Sequence, residues 1–305
     1  MGEGVEVWRG SVATWECDAM GHLNVGFYVA RSMEGLIGLA AELGMPGAFS
    51  PDALSTLMVR EQHIRFIKEA RPGAPLHMVA GVVEWGETDA RLVLLLRHRT
   101  GETAAVFQTL VSHVTAQETR AFPWPERMRE RAAALKMEVP TDARPRSIGL
   151  DRVESQASLE RALELDLRRT ALGGVRPADC DAFGRMRTEL MMARISDGIP
   201  HIFDGARPGA PANGARVGGA ALEYRLIHLA WPRAGDRVEL RSGSPGGDAR
   251  FRKWIHWLLD PATGRPWGVA EAIAVSFDLE TRKLITLTDE ALAEANARAV
   301  PGLTL

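Results

Sequence analysis

The stretches "CDAMGHLN" (Cys17–Asn24) and "CDAFGRMR" (Cys180–Arg187) are near-copies of one octapeptide, and they contain both cysteines of the chain. The two copies lie 163 positions apart, and only the first has His22 and Asn24. Three further pairs of segments keep their order along the chain at offsets of 159 to 163 positions: Ile64–Gly73 with Tyr224–Gly235, Asp89–Leu92 with Asp248–Phe251, and Thr100–Val111 with Thr263–Ala274. Four ordered matches predict a tandem duplication.

The duplication divides the sequence into two halves of similar length. Each half ends in a charged segment with helical character, Trp124–Met137 in the first and Thr288–Ala299 in the second, where Thr288 is a suitable N-cap. The segment 141–155 contains prolines and charges without a clear period, which is typical of a linker. We therefore expect an N-terminal domain at 1–140 and a C-terminal domain at 156–305.

The order of elements within the first half predicts the fold class. Val25–Gly44 has apolar residues at helical spacing, with Asn24 as a natural N-cap and Gly44 as a natural stop. A strand precedes this helix and four strand-like stretches follow it, and the second half repeats the pattern with a helix at Arg187–Gly205. This order predicts an α+β fold in which each half wraps a curved antiparallel sheet around a long central helix.

Composition limits the possible partners and compartments. The formal net charge is −2, and the absence of a dense Lys/Arg cluster argues against nucleic acid or an anionic membrane as the main partner. The sequence lacks a signal-peptide pattern at its start and any run near the ~18 apolar residues of a membrane span. Two cysteines without metal-ligand spacing indicate free thiols and no metal site. We expect a cytoplasmic protein.

The first octapeptide carries a candidate acid–base group. Asp18 precedes the predicted helix, whose first N–H groups lack partners and whose dipole favours negative charge, so an oxyanion could be stabilised there. A carboxylate at such a place can attack a thioester or deprotonate water. An aspartate before a helix can equally be a turn former. Since the second copy keeps Asp181 but not the His and Asn, we expect the chemistry in the first half.

Asp18–Tyr28 resembles the signature of the 4-hydroxybenzoyl-CoA thioesterase family of hotdog-fold proteins, Asp-x-x-Gly-His-x-Asn-x-x-x-Tyr. The resemblance implies a tandem double hotdog and an acyl-CoA thioesterase, with CoA as part of the substrate and no further cofactor. It also implies that Asp18 is the nucleophile or general base and that a backbone N–H near Val25 holds the oxyanion. The remaining motif positions, expected to position the substrate, are His22, Asn24 and Tyr28.

The second half departs from this signature. Arg185, Arg187 and Met191 stand where the first half has the His, Asn and Tyr of the motif. A second active site at Asp181 is therefore in doubt. Arg185 and Arg187 would either bind CoA phosphates or face water, and water is the preferred interpretation.

Further pocket residues are expected because hotdog sites straddle two units. His63 and Glu223 align on equivalent strands and could line the pocket, and Gln108 and Glu271 are weaker candidates. Some relatives act on betainyl-CoA, and a trimethylammonium group would need an aromatic cage. Core packing accounts for most of the eight tryptophans, and the acyl group cannot be read from the sequence.

Three alternatives stay open at this point. The first is a hotdog enoyl-CoA hydratase. The motif of those enzymes resembles an Asp followed by a His five residues later, whereas His22 is four residues after Asp18. An acyl-ACP thioesterase is also a tandem hotdog, but the resembling motif lies in its second half. The third is a catalytically silent acyl-CoA-binding protein. Cys17 as the nucleophile is a weaker hypothesis than a buried thiol. The outer sheet edges could pair chains into a homodimer of tandem units.

Overall fold

The computed structural model describes residues 4–202, 217–281 and 283–305. Its contacts divide the chain into two compact units. The first consists of Met1–Pro145 with Pro177–Ala193, and the second of Arg146–Arg176 with Arg194–Leu305. The compact units thus differ from the halves of the sequence in one respect, because the second octapeptide belongs by its contacts to the first unit.

The first unit contains five antiparallel strands and one long helix, α1, at Val25–Glu42. The strands follow the order β1-β3-β4-β5-β2. Their bounds are β1 Val5–Ser11, β2 Ser55–Phe66, β3 Pro75–Trp85, β4 Asp89–His98 and β5 Thr103–Thr115. Each predicted strand of this half is confirmed. The apolar runs of the sequence, alternating in some strands and continuous in others, indicated these strands.

Helix α1 begins and ends where its capping residues predict. The side chain of Asn24 accepts a hydrogen bond from Gly26 N, and the helix ends at Glu42, shortly before Gly44, whose φ of +90° an L side chain rarely adopts. The helix packs on β1 so closely that a methyl group at Gly38 would overlap the carbonyl oxygen of Val7. Only glycine fits at that crossing.

The second unit repeats the topology of the first. Its strands follow the order β7-β10-β9-β8-β6, which matches β2-β5-β4-β3-β1 one for one. Their bounds are β6 Arg168–Gly174, β7 Val217–His228, β8 Arg237–Gly247, β9 Arg252–Leu259 and β10 Pro266–Asp278. The same strand order in both units supports the duplication that the repeated segments predict.

The remaining helices are shorter. The charged segments that end the two halves form α2 at Glu126–Ala134 and α5 at Asp289–Ala297, and Thr288 caps the latter by accepting from Ala291 N at 3.3 Å. The sequence did not predict α3, at Leu159–Glu164, which Ser158 caps through Arg161 N. In the described part of the chain, no helix is long and apolar enough to span a membrane.

The prediction of a long helix in the second half is wrong in its length. Helix α4 covers only Glu189–Gly198, 10 residues against 18 in α1, and a 3₁₀ turn at Ile199–His201 follows it. Pro200 explains the early end, because proline disfavours helical backbone at the residue before it and has no N–H. The last part of the predicted helix, 203–205, lies outside the described residues.

The strands of the two units differ in polarity at equivalent positions. Ala80 faces Leu94 across β3 and β4, whereas Ser242 faces His256 across β8 and β9. The Ser242 hydroxyl lies 2.8 Å from His256 Nδ1 and 3.0 Å from the hydroxyl of Thr170. Burial lowers the pKa of His256 to about 3, so its ring is neutral in the folded protein.

The predicted linker is an ordered, packed segment. Ala143 and Ile148 are buried, and 141–143 form a 3₁₀ turn. Within the first unit, Arg65 donates to the carbonyl of Asp142 at 2.7 Å. The connection between the two repeats is therefore held by hydrogen bonds as well as by apolar contact.

Candidate active site

The first octapeptide forms a tight loop around the carboxylate of Asp18. Asp18 Oδ1 accepts hydrogen bonds from the backbone N–H groups of Met20 (2.8 Å) and His22 (3.2 Å). Asp18 N donates to His22 O at 2.8 Å, and Gly21 has a φ of +76°. Both Asp18 and Gly21 are therefore required to build the loop, the glycine because side chains disfavour its backbone conformation.

The second octapeptide forms the same loop. Asp181 Oδ1 accepts from the N–H groups of Phe183 and Arg185, both at 2.9 Å, and Gly184 repeats the φ of +76°. Asp181 N donates to Arg185 O at 2.7 Å. This common geometry explains why the Asp and the Gly occur in both copies.

The other carboxylate oxygen distinguishes the two loops. Asp181 Oδ2 accepts from Arg185 Nε at 3.1 Å. In the first loop, His22 Nε2 lies 3.0 Å from Glu69 Oε2 instead. Every side-chain hydrogen bond of Asp18 within the described residues goes to Oδ1. The first loop thus presents one carboxylate oxygen to a substrate or a water, and the second has its equivalent oxygen paired with a guanidinium.

The start of α1 provides a backbone donor beside this loop. Asn24 accepts from Gly26 N at 2.9 Å through its side chain, and its carbonyl accepts from Phe27 N and Tyr28 N. Across the described ranges, Val25 N–H has no hydrogen-bond acceptor. A free N–H at a helix N-terminus is suited to stabilise an oxyanion, which is the role expected for Val25.

Tyr28 connects the helix to the segment after β2. Its hydroxyl accepts from Ala70 N at 3.1 Å, and its ring meets Phe66 edge-on with centroids 5.2 Å apart. Burial raises the pKa of Tyr28 to about 12. The second repeat has Met191 and Pro232 at the corresponding positions, and proline has no N–H that would need an acceptor. The hydroxyl of Tyr28 therefore has a structural use.

The candidate pocket residues on the strands have partners of their own. Gln108 donates to the carbonyl of Ala143 at 2.8 Å. The carboxylate of Glu223 accepts from the N–H groups of Arg146 (2.9 Å) and Ser147 (2.8 Å), so both of its oxygens hold the linker. His63 is buried and lies opposite Gln108 in the β2–β5 register, and its role in a pocket stays a prediction. Glu271 forms an ion pair with Lys253.

The environments of Cys17 and Trp257 indicate structural roles. Cys17 and Cys180 form no disulfide in the described part of the chain, as their sequence context predicts. Burial and the neighbouring acidic groups raise the pKa of Cys17, the opposite of what a thiolate nucleophile needs. Trp257 is buried in the core, where its Nε1 donates to Thr304 O at 3.0 Å.

Two partners in the loops were missed by sequence reasoning. Glu69, which pairs with His22, lies 47 positions further along the chain, and the pairing of Arg185 with Asp181 was not foreseen. The sequence carried a weak signal for both. The segment equivalent to "IKEARPG" in the second half, "HLAWPRAG", has no acidic residue, so an Arg in that loop must find its carboxylate elsewhere.

A protein-family model described as the thioesterase-like superfamily matches the chain twice, at residues 12–132 and 175–295. Each match contains one octapeptide and the helix that follows it. A search of curated proteins found no match.

Three similar solved structures extend over nearly the whole chain. One is titled "oleoyl thioesterase (putative)" of Lactobacillus plantarum, with TM-score 0.67, 11% identity, and 94% of this chain and 98% of that chain covered. An acyl-ACP thioesterase of Bacteroides thetaiotaomicron gives TM-score 0.64, 10% identity and coverage of 88% and 96%. The 12:0-ACP thioesterase of Umbellularia californica has a TM-score of 0.63 and 13% identity, with 88% of this chain and 92% of that chain covered. At these identities the similarity establishes the fold.

Proposed function

Because the chain belongs to the thioesterase-like superfamily, with two hotdog repeats, and is by class a thioester hydrolase, we propose that it hydrolyses an acyl-CoA with Asp18 as the catalytic carboxylate. One observation carries the assignment of Asp18. Its Oδ2 is not engaged by any donor in the described residues, whereas the same oxygen of Asp181 is paired with Arg185. The chain therefore has one competent carboxylate and one loop that keeps the shape without the chemistry.

The proposed reaction uses the two oxygens of Asp18 differently. The N–H groups of Met20 and His22 hold Oδ1, which orients Oδ2. As a general base, Oδ2 removes a proton from water while the water oxygen bonds to the thioester carbon. The N–H of Val25 stabilises the resulting oxyanion. Collapse breaks the C–S bond, and the thiolate takes up the proton, so acid and free CoA leave.

A nucleophilic role for Asp18 gives the same products. In that route Oδ2 bonds to the thioester carbon and CoA thiolate leaves, and water then cleaves the acyl-carboxylate anhydride. Hydrolysis in ¹⁸O water under single-turnover conditions separates the two routes, because only the anhydride route can leave ¹⁸O in the aspartate. In both routes His22 keeps its contact with Glu69, 3.0 Å away, and takes no part in the bond changes.

The choice of CoA as the acyl carrier rests on the motif at Asp18–Tyr28. Two of the similar solved structures are acyl-ACP thioesterases by title, which makes acyl-ACP the second candidate. Measuring kcat/KM for one acyl group on CoA and on ACP decides between them. We expect the CoA ester to give the higher value.

The matched pair Asp18→Asn and Asp181→Asn tests the catalytic assignment. Both variants keep an acceptor oxygen for the loop N–H groups, so both loops should form. We expect kcat for thiol release to fall by about 2 to 4 orders of magnitude in Asp18→Asn, the scale of a lost acid–base group, and to change little in Asp181→Asn. Thermal unfolding of both proteins is the control for folding.

Three outcomes would reject the proposal. Full activity in both variants would make the two aspartates loop formers only. Tight binding of acyl-CoA without thiol release from any ester would favour the silent binding protein, and hydration of an enoyl-CoA would favour the hydratase.

A further inference from the structure

Arg185 is a buried cation with an unused hydrogen-bonding edge. Its side chain is 7% exposed, its Nε donates to Asp181 Oδ2 at 3.1 Å, and the centre of its guanidinium lies 4.6 Å from the ring centroid of Phe183. Nη1 is buried and has no hydrogen-bond partner among the residues that the structure describes. The expectation that this arginine faces water is therefore not met, whereas Arg187 is 45% exposed.

Loop formation does not account for this arrangement. The first loop has the same backbone hydrogen bonds and the same glycine conformation with His22 at the equivalent position. A buried donor that makes no hydrogen bond is destabilising, and more so when the group is charged. The ion pair with Asp181 and the contact with the Phe183 ring leave Nη1 of this arginine without an acceptor, a cost that loop formation alone does not require.

The geometry of the guanidinium indicates what would bind it. Asp181 engages Nε and leaves the Nη1–Nη2 edge, where two parallel N–H groups match the two oxygens of a carboxylate or phosphate. Asp181 also fixes the direction of this edge and balances the positive charge. Recognition would then depend on directed hydrogen bonds more than on net charge, and it would be weakly sensitive to salt.

The position of Arg185 relates it to the proposed reaction. Arg185 and Asp18 belong to the same compact unit. The helices that follow their loops are in contact there, since a methyl group at Gly26 of α1 would lie 3.3 Å from Cα of Ala193 in α4. The loop of Arg185 therefore belongs to the same unit as the proposed catalytic loop, and the helices that follow the two loops touch.

We propose that Arg185 is an anion-binding residue for the substrate, holding an oxyanion group through its Nη1–Nη2 edge with Asp181 as the positioning residue. This inference rests on the proposed function. The oxyanion is either a carboxylate at the far end of the acyl group or a phosphate of the CoA portion. A carboxylate is planar and a phosphate is tetrahedral, but each can offer two oxygens to the guanidinium edge.

The test compares Arg185→Met with Arg185→His, which introduces the residue of the first loop, and with Arg187→Met as the exposed control. Calorimetric titration of CoA gives a readout that needs no turnover. Kinetics with succinyl-CoA and butyryl-CoA, which have equal acyl length and differ in one carboxylate, test the acyl source. Butyryl-pantetheine, which lacks every phosphate, tests the carrier source. Thermal unfolding reports whether each variant folds, and Arg185→His covers a failure of the Met variant.

We expect both Arg185 variants to weaken recognition of one oxyanion at least tenfold. For an acyl carboxylate, the wild type prefers succinyl-CoA over butyryl-CoA, and the variants lose that preference while CoA binding is unchanged. For a carrier phosphate, Kd for CoA and KM for both CoA esters rise, and KM for butyryl-pantetheine does not. Arg187→Met should stay within about twofold of the wild type throughout.

The inference is overturned if both Arg185 variants keep the Kd for CoA and the KM of every ester within about twofold, whatever their unfolding temperature. It is also overturned if the wild type binds none of these probes. A different result separates it from the proposed function: normal CoA binding that depends on Arg185, together with full activity of Asp18→Asn, would retain the anion site and reject the catalytic assignment.

Discussion

At the scale of single residues, the side chain four positions after the Asp distinguishes the ion pairs of the two octapeptide loops. His22 pairs with Glu69 outside its loop, and Arg185 pairs with Asp181 within its loop. The backbone hydrogen bonds are otherwise the same. Loop formation and the availability of the second carboxylate oxygen are therefore separate properties, and a substitution at this position can change one without the other.

Replacing His22 with arginine should convert the first loop into the second. We expect the guanidinium of His22→Arg to pair with Asp18 Oδ2, which stabilises the ionised carboxylate and lowers its basicity. Thiol release should fall by about two orders of magnitude or more, the scale for general-base loss, with a small change in thermal stability. His22→Gln is the control, because it has no charge. Equal activity of the two variants would contradict the pairing.

Tyr28→Phe tests whether the hydroxyl is structural. The change leaves Ala70 N–H without its acceptor in a buried place, so we expect the free energy of unfolding to fall by about 1–3 kcal/mol. Urea unfolding measures this loss, and kcat should be retained in the folded protein. A large loss of kcat at unchanged stability would instead make Tyr28 a contact of the substrate.

At the scale of elements, close packing of α1 on β1 depends on a single glycine. Gly38→Ala would place a methyl group on the carbonyl oxygen of Val7. Alanine is the better helix former by about 1 kcal/mol, yet we expect the variant to lose about 1–3 kcal/mol of stability through overpacking.

Gly47→Ala is the matched control for this prediction. An added methyl group there meets no atom within 4 Å. Its stability, measured by the same urea unfolding, should be unchanged or slightly higher, because alanine restricts the unfolded chain. A stable Gly38→Ala protein would show that α1 can move away from β1 without cost.

At the scale of elements too, two buried histidines on strands of the second unit, His228 and His256, predict a pH dependence of stability. Burial lowers the pKa of His256 to about 3 and of His228 to about 4, whereas both titrate near 6.5 when unfolded. The unfolded chain therefore binds protons first as the pH falls. Stability from these groups is full above pH ~6.5 and declines towards pH ~4 by up to ~1.4 kcal/mol per pH unit for each histidine.

Urea unfolding at pH 7, 6 and 5 measures this slope. The double variant Ser242→Ala with His256→Leu has at these positions the Ala and Leu that the first unit has at Ala80 and Leu94. We expect the dependence of stability on pH to be weaker in this variant. An unchanged slope would mean that His256 is not the group that titrates. The double variant removes both partners of the Ser242–His256 hydrogen bond, and the hydroxyl of Thr170, which also loses Ser242, keeps the carbonyl of Leu240 at 3.4 Å as an acceptor. Stability at pH 7 should therefore change little.

At the scale of the whole molecule, duplication has produced two repeats with the same strand order and with octapeptide loops that differ in their side-chain hydrogen bonds. The thioesterase-like family matches both repeats, and its double occurrence confirms the tandem arrangement. A homodimer of tandem units and a cytoplasmic location stay predictions. Size-exclusion chromatography with light scattering would measure the first directly.

The sequence by itself determined the duplication, the strands and the position of α1. These features depend on neighbours along the chain: repeated segments, apolar periodicity, and caps such as Asn24 and Gly44 that act within one turn. Local pattern also located Asp18 and its loop. The helix of the second half was predicted too long, because its periodicity was followed past Pro200.

Only the tertiary structure decided which polar groups are occupied. The pairing of His22 with Glu69, the capture of the linker by Glu223 and the unused edge of Arg185 depend on residues that are distant in sequence or on burial. A hydrogen bond requires distances near 3 Å and a defined direction, and neither follows from residue type or spacing. The sequence determines which polar groups are present, and the folded structure determines which of them form hydrogen bonds with each other.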